Sequence, residues 1–428
     1  MIFDLLFAAS AVIAIVALLR LRAATFMFAA NQLSVLRALG HIDGFGQPRS
    51  QGFLPASVFS TENLAIAANL FVCATLLLAV CVSLPAQRGA TAERLPPVPR
   101  WLSALLLLYF ALLAFSSRTI FSNSYTDPER VLYGLNLSGA HQFLASIFLY
   151  EIVRRSIAGE LSRLKAFALL LATFISIDYL KGQTGLASGF MVASAFLVLG
   201  WEPRPGQRWL TFGGAMLTVF ALALVVRGVR SDAYEQGASR SIGAFADSLQ
   251  RNEEQTATTG EGAELYGNGT QYAAHVLECI SLYEAGVSRE WRSVYLPIVY
   301  TFQPSFLVSL VGIERPKEAA WELADYYIHG GGIFVLGELY WNGGYLCAAL
   351  VYAGILGFAY LCDTRARHSF AWLLLLCQFA PGSLQGMGYG FAQVSRGLFN
   401  GLLALGIYWL VKRARRSALP RVAQETAA

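Results

Sequence analysis

Ile2-Phe-Asp-Leu-Leu-Phe-Ala-Ala-Ser-Ala-Val-Ile-Ala-Ile-Val-Ala-Leu-Leu19 contains one charge in eighteen residues. As a helix it would extend about 27 Å, close to the ~30 Å hydrocarbon core of a bilayer. It has no basic residue ahead of the apolar stretch and no small-residue cleavage site, so it reads as a retained helix rather than a signal peptide. Runs of the same kind follow at roughly 62–84, 101–117, 137–153, 165–180, 184–201, 209–226, 338–361, 370–382 and 396–411. Of the 428 residues, 56% are hydrophobic and 14% charged. A soluble domain carries about a quarter charged residues, and apolar runs this frequent do not fit one water-soluble core.

The expected fold is therefore an all-α polytopic membrane protein of about ten or eleven transmembrane helices. The division expected is a transmembrane bundle over 1–226, a large outer loop over 227–330, further membrane helices over 331–411 and a basic tail over 412–428. Charge sets the orientation. The net charge is +5, but residues 227–328 hold eight Lys/Arg against fourteen Asp/Glu, and the rest of the chain is correspondingly basic. Basic short connections at 87–100, 154–165, 202–208 and 363–368, together with the tail, predict a cytoplasmic C-terminus and an external acidic loop. Residues 20–60 resist this scheme, because Arg20, Arg22, Arg37 and Arg49 fall on the external side of the count. Either an additional crossing or re-entrant piece lies near 23–40, or an amphipathic helix rests on the surface there.

The outer loop has a polar, Gly-rich middle at 251–270, and apolar stretches at 272–287 and 294–311 that read as short interfacial or re-entrant helices. No basic patch is large enough for nucleic acid. The six cysteines and five histidines show no metal-ligand spacing, and neither metal nor cofactor is expected.

One segment concentrates chemistry: Tyr326-Tyr-Ile-His-Gly-Gly-Gly-Ile-Phe-Val-Leu-Gly-Glu-Leu-Tyr-Trp-Asn-Gly-Gly344. His329 is followed by three glycines that allow close backbone approach to a ligand. Glu338 lies where a span begins to bury it, and a carboxylate in that position usually faces a cavity or a partner. A histidine and a glutamate at the outer membrane surface suit deprotonation of a hydroxyl. The plainer alternative is a single structural hydrogen bond for His329 and a capping or Arg-pairing role for Glu338.

Cations define a second set of candidates. Arg227 and Arg230 share a face where a helix emerges outside, in Arg227-Gly-Val-Arg-Ser-Asp-Ala-Tyr234. Their forked guanidinium groups suit phosphate, against the alternatives of snorkelling or pairing with Asp232. Lys181 is the one cation of the hairpin Asp178-Tyr-Leu-Lys-Gly-Gln-Thr-Gly-Leu-Ala-Ser188, where a local pair with Asp178 is an equal alternative. Arg396 opens the last span from the outer side in Gln393-Val-Ser-Arg-Gly397. Together these four would attract a pyrophosphate if they surround one cavity. Among the loop cations, Arg289, Arg292 and Arg315 could join those four, but they read first as surface cations paired with the abundant loop acids. Glu151 reads as paired with Arg154 and Arg155.

The hydrophobic chain, the single large outer loop and the His329…Glu338…Gly343-Gly344 segment running into a helix resemble the Wzy-type bacterial oligosaccharide repeat-unit (O-antigen) polymerases. The related O-antigen ligases carry a similar segment, His-Asn-x-Tyr-Leu followed by Glu-x-Gly-x-x-Gly; this chain lacks the Asn and has looser spacing. Lys181-Gly182 occupies the place of a Ser-Arg-Gly turn found in these families, and Arg251 to Gly262 matches an Arg-x10-Gly pattern. The resemblance implies a glycosyltransferase of the bacterial inner membrane. Its donor and acceptor would be glycans on undecaprenyl pyrophosphate, and a flippase and a chain-length regulator of the same pathway would be its partners. It assigns Arg227, Arg230, Lys181 and Arg396 to the pyrophosphate, with His329 and Glu338 as catalytic residues. The competing expectations are an O-antigen ligase and a flippase or transporter for the same lipid-linked glycan.

Overall fold

The computed structural model describes residues 2–40, 56–85, 96–116, 138–162, 164–169, 217, 267–287, 289–291, 319–327, 333–366 and 368–418. The regular elements among them are helical: α1 (Ile2–Leu19), α2 (Ala23–Gly40), a 3-10 turn (Ala56–Phe59), α3 (Thr61–Ser83), α4 (Arg100–Ser116) and α5 (Ser138–Ile157). After them come α6 (Gly267–Glu284), α7 (Ala319–Leu323), α8 (Val335–Arg365), α9 (Phe370–Tyr389) and α10 (Phe391–Ala418). Of these, α1, α3 and α8 are long and apolar enough to cross a membrane, and Arg100–Tyr109 and Phe370–Ala380 are shorter apolar helical runs. The expected spans at 184–201 and 209–226, most of 165–180, and the loop stretch 294–311 lie outside the described residues.

The bundle has an apolar exterior around an interior that is itself mostly apolar but holds polar side chains. Leu5, Leu346 and Leu410 are 64%, 63% and 69% exposed, while Ser10, Gln32 and Thr75 are buried. Leucines facing outward along several helices would make a soluble protein aggregate, whereas in lipid they are in their own medium. Inside, Gln32 Nε2 on α2 donates to Ser10 Oγ of α1 at 3.2 Å and to Thr75 Oγ1 of α3 at 2.6 Å, tying three helices at one level. Between apolar helices in lipid there is little hydrophobic drive, so small residues and hydrogen bonds hold the contact. Gly397 and Gly401 of α10 serve this purpose. A Cβ on Gly397 would lie 3.0 Å from the Gln378 carbonyl oxygen, and one on Gly401 2.7 Å from Leu375 Cδ2, so α9 and α10 meet backbone to side chain.

Within the open region 20–60, residues 23–40 form a second helix antiparallel to the first, and residues 41–55 lie outside the described residues. α1 ends at Leu19, the chain turns through Leu21 at a positive φ of 54°, and α2 returns until Gly40 lies against Asp4 at the start of α1. The turn brings Arg20 and Arg22 to the far end of α3, where Arg20 donates to the Val82 carbonyl and Arg22 to the carbonyls of Cys81 and Leu84. Arg22 also lies over the Tyr360 ring of α8. Two of the arginines that disturbed the charge count, Arg20 and Arg22, therefore join Arg365 at one end of the bundle, whereas Arg37 lies in the last turn of α2 at the other end and Arg49 lies outside the described residues. Asp363 of α8 completes the junction, accepting from the backbone N–H of Ala24 and Thr25 at 2.9 Å each and from Thr25 Oγ1 at 2.8 Å. The first N–H groups of a helix have no partner within it, so this carboxylate caps α2 from another element. On α5, Glu151 pairs with Arg154 at 2.9 Å and Arg155 at 2.7 Å, as the sequence suggested.

Asp363→Asn should destabilise the protein by about 2–4 kcal/mol, because it weakens three hydrogen bonds and leaves Arg22 without a carboxylate. Thr25→Val, which removes one of the three, should cost about 1 kcal/mol. Thermal unfolding of the detergent-solubilised protein reads both, and equal losses would mean that the cap is not what the carboxylate contributes.

Candidate functional site

The helix carrying Glu338 is broken. Gly343 (φ −175°, ψ 34°) and Gly344 (φ 62°, ψ −155°) leave helical geometry and divide α8 into Val335–Asn342 and a longer segment from Tyr345 to Arg365. The Gly344 conformation belongs to glycine, and a Cβ there would lie 2.8 Å from the Tyr283 hydroxyl. The break frees carbonyls that a continuous helix would use. The segment after α6 takes them up: Arg289 N–H donates to the Trp341 carbonyl at 3.4 Å and Trp291 N–H to the Asn342 carbonyl at 3.0 Å. That segment is held in an uncommon backbone, with Glu290 and Trp291 at φ 52° and 63°. Docking onto α8 compensates. Trp341 Nε1 donates to the Val287 carbonyl at 2.6 Å and the Tyr340 hydroxyl donates to Glu284 at 2.7 Å.

This docking drives Arg289 into the interior. Its side chain is 0% exposed. Nε donates to Glu322 Oε2 of α7 at 2.8 Å, the Nη1 group lies 3.5 Å from Glu338 Oε1, and the guanidinium sits 5.2 Å over the Trp341 ring. The expectation of a surface cation is corrected. Arg289 is the buried centre of a Glu322–Arg289–Glu338 triad in which Glu338 is buried and Glu322 partly exposed. The desolvation cost of such a charge is met by two carboxylates and an aromatic face.

The other oxygen of Glu338 is equally engaged. Oε2 accepts the backbone N–H of Phe391, the first residue of α10, at 2.6 Å. Gly390 precedes it at φ 89°, and a Cβ on that residue would fall 2.3 Å from the same oxygen. Glu338 thus both caps a helix and pairs with an arginine. These are the two structural roles weighed for it from the sequence.

A second buried carboxyl stands beside the triad and was not singled out in the sequence. α6 packs against the first part of α8, so closely that a Cβ on Gly337 would lie 2.9 Å from Val276 Cα and 3.5 Å from Cys279 Cβ. His275, Glu278 and Cys279 are buried on α6, at 3%, 1% and 0% exposure. Glu278 Oε2 has no hydrogen-bond partner. Burial pushes this carboxyl up to about 8, and burial, with a smaller push from Glu278, raises the Tyr327 phenol against the hydrogen bond it shares with Ser281. The signal available in the sequence was His275-Val-Leu-Glu278, a polar i,i+3 pair within an otherwise apolar helix face.

The remaining candidates are distributed as follows. His329, Arg227, Arg230 and Lys181 lie outside the described residues, as do Arg292, Arg315, Asp178 and the Arg251–Gly262 pattern. The Arg396 backbone is in the second turn of α10, five residues after the N–H held by Glu338, and so at the same end of the bundle as the triad. Among the described residues no three His, Cys, Asp or Glu side chains are grouped to hold a metal.

Arg289→Ala should destabilise the fold by about 3 kcal/mol, since it takes the counter-charge from the buried Glu338 and the partly buried Glu322, and Arg289→Lys should cost less but lose the fork that reaches both. The titration of Glu278 supplies a second expectation. Its folded-state value lies above the ordinary 4.5, so its contribution is intact below pH 4.5 and is lost as pH rises through about 8. Glu278→Gln should therefore narrow the gap in melting temperature between pH 5 and pH 9, and a gap of unchanged size would show that Glu278 does not titrate in the folded protein.

Comparison with family models, with characterised proteins and with solved structures finds no match for this chain.

Proposed function

We propose that the protein is a glycosyltransferase of the bacterial inner membrane that polymerises undecaprenyl-pyrophosphate-linked repeat units into O-antigen or a related surface polysaccharide. The observation that carries this reading is the Glu322–Arg289–Glu338 triad around a buried arginine, seated at a helix break directly after the His329 segment and next to a protonatable carboxyl. A purely structural span has no need to break beside two glycines and bury an ion triad at that point.

In this reading the full bundle has ten or eleven crossings. The end with Arg20, Arg22, Arg365 and the basic α10 terminus faces the cytoplasm, by the bias of basic residues toward that side. The triad then belongs to the periplasmic end, as does the acidic loop. The donor is a glycan on undecaprenyl pyrophosphate and the acceptor is a repeat unit on the same lipid. The anomeric carbon–oxygen bond to the pyrophosphate breaks, and its electron pair leaves with the diphosphate. A sugar hydroxyl of the acceptor forms the new bond, and its proton passes to a base of this region; His329 is the nearest histidine in the sequence. Negative charge develops on the diphosphate, where fixed cations in a water-poor cleft act most strongly. Arg227, Arg230, Lys181 and Arg396 supply them. Arg289 is matched by its two carboxylates and holds the architecture instead.

Purified protein incubated with short lipid-pyrophosphate repeat units should yield a ladder of longer glycans. Transfer only to a lipid A-core acceptor would make it a ligase, and lipid movement without bond formation a flippase. Arg227→Ala and Arg230→Ala should each lower chain growth by about tenfold or more with an unchanged melting temperature. His329→Ala should lower turnover more than donor binding. Full activity in all three variants would remove the proposed site.

A further inference from the structure

We infer that the C-terminal part of α10 binds an anionic phospholipid. Its acyl chains lie along the exposed face formed by Leu403, Ile407 and Leu410, and its phosphate lies against Lys412 and Arg413. The inference is independent of the glycosyl-transfer reading.

α10 carries the two halves of such a site in register. Leu403, Ile407 and Leu410 are 45%, 46% and 69% exposed. Residues three, four and seven apart share a helix face, so the three form one stripe. Gly406 lies within it, and a Cβ there would meet nothing within 4 Å. Arg413 follows Leu410 by three residues and Gly406 by seven, so the stripe runs into an exposed cation. Lys412 stands beside it, 4.9 Å over the Trp409 ring and 5.7 Å over the Tyr408 ring. A ring attracts a cation without neutralising it, so the charge stays available to an anion. An apolar stripe that ends in cations beside an exposed tryptophan matches an amphiphile whose anion sits where its chains end.

Other exposed apolar faces end differently. The α1 face with Leu5, Val12, Ile15 and Leu19 leads to Arg20, which donates to the Val82 and Ser83 carbonyls. The α3 face with Leu76 and Val80 ends at Leu84, whose carbonyl is taken by Arg22. On α5, Arg154 and Arg155 are matched by Glu151 and Glu160. The cations of α10 have no such neighbour on their own helix or on α9, because neither contains Asp or Glu. α5 approaches α10 through Tyr150, Phe370 and Tyr408, with ring centroids 5.3 and 4.4 Å apart. Its Glu151 is held by its own two arginines and by the Val98 N–H. Arg415 and Arg416 continue the helix, giving four cations in five residues. The charge selects an anion, and the stripe that leads to it selects a lipid over a free ion.

The test uses purified full-length protein in phosphatidylcholine nanodiscs doped with acyl-brominated phosphatidylglycerol or acyl-brominated phosphatidylcholine, and reads quenching of tryptophan fluorescence. The brominated phosphatidylglycerol should quench at about tenfold lower mole fraction. Trp409→Phe should abolish that difference, because Trp409 is the reporting ring. Lys412→Gln and Arg413→Gln should each weaken the preference about fivefold, and Lys412→Arg should keep it. Lys165→Gln, which removes an exposed cation elsewhere, should leave it unchanged. Equal quenching by the two lipids in the wild type overturns the inference without any variant. A preference that survives in the Lys412→Gln/Arg413→Gln protein, or falls as far in Lys165→Gln, overturns it too. Inorganic phosphate that competes as well as the lipid overturns it in favour of a free-anion site. A dimer in which neither lipid quenches Trp409 overturns it in favour of a second copy of the chain. A protein that shows the preference but elongates no glycan refutes only the function proposed above.

Discussion

The backbone N–H groups that open a helix have no partner inside it, and in a lipid-facing bundle no water replaces one. α8 answers this constraint at both of its ends. Asp363 holds the opening of α2 and Glu338 the opening of α10. The two carboxylates are twenty-five residues apart, and a continuous helix of that length covers about 37 Å, slightly more than a hydrocarbon core. One helix thus fixes two others, at opposite ends, through charge-assisted bonds rather than apolar contact alone. Each carboxylate also has an arginine close by, Arg22 at one end and Arg289 at the other.

The two ends are built differently. At the Asp363 end α8 is continuous, and the arginines reach carbonyls at the end of α3. At the Glu338 end α8 breaks at Gly343-Gly344, and the freed carbonyls recruit the segment around Arg289. A break of this kind costs helix hydrogen bonds and is tolerated where neighbouring protein restores them. Here the restoration comes from residues 289–291, two of which adopt left-handed backbone, so the loop and the broken helix hold each other in place. The result is a rigid frame around a cluster of ionisable side chains.

Apolar length was the legible part of this chain. The runs read at 2–19 and 62–84 match α1 and α3 to within a residue. α2 was harder to read because Asn31, Gln32 and Arg37 dilute its apolarity, and its key polar residue points inward to Ser10 and Thr75, which hydropathy does not register. α10 begins at Phe391 rather than near 396 because a carboxylate from fifty-three residues earlier in the chain caps it beside Gly390. Arg289 reads from sequence as a loop cation among loop acids. Its burial depends on Glu338, forty-nine residues away, and on a helix break whose partner segment is not adjacent in the chain. Glu278 carries only a faint signal in the sequence, its spacing from His275, for a related reason. A glutamate on an amphipathic helix looks solvated until the element that covers it is known.

In the proposed glycosyl-transfer reading, charge balance constrains how this cluster would meet a lipid diphosphate. Arg289 carries one positive charge against the carboxylates of Glu322 and Glu338, so the triad is net negative before a substrate arrives. A diphosphate placed against it alone would be repelled. Glu278, kept neutral by burial, avoids adding to that repulsion, and the approach of a diphosphate would raise its proton affinity further. Attraction must therefore come from cations outside the triad. Arg396 has its backbone at the correct end of α10, and Arg227, Arg230 and Lys181 are the others that the sequence offers. In the glycosyl-transfer reading this separates two tasks among residues of like charge. The saturated arginine maintains the shape of the pocket, and the cations beyond it meet the leaving group as its charge develops.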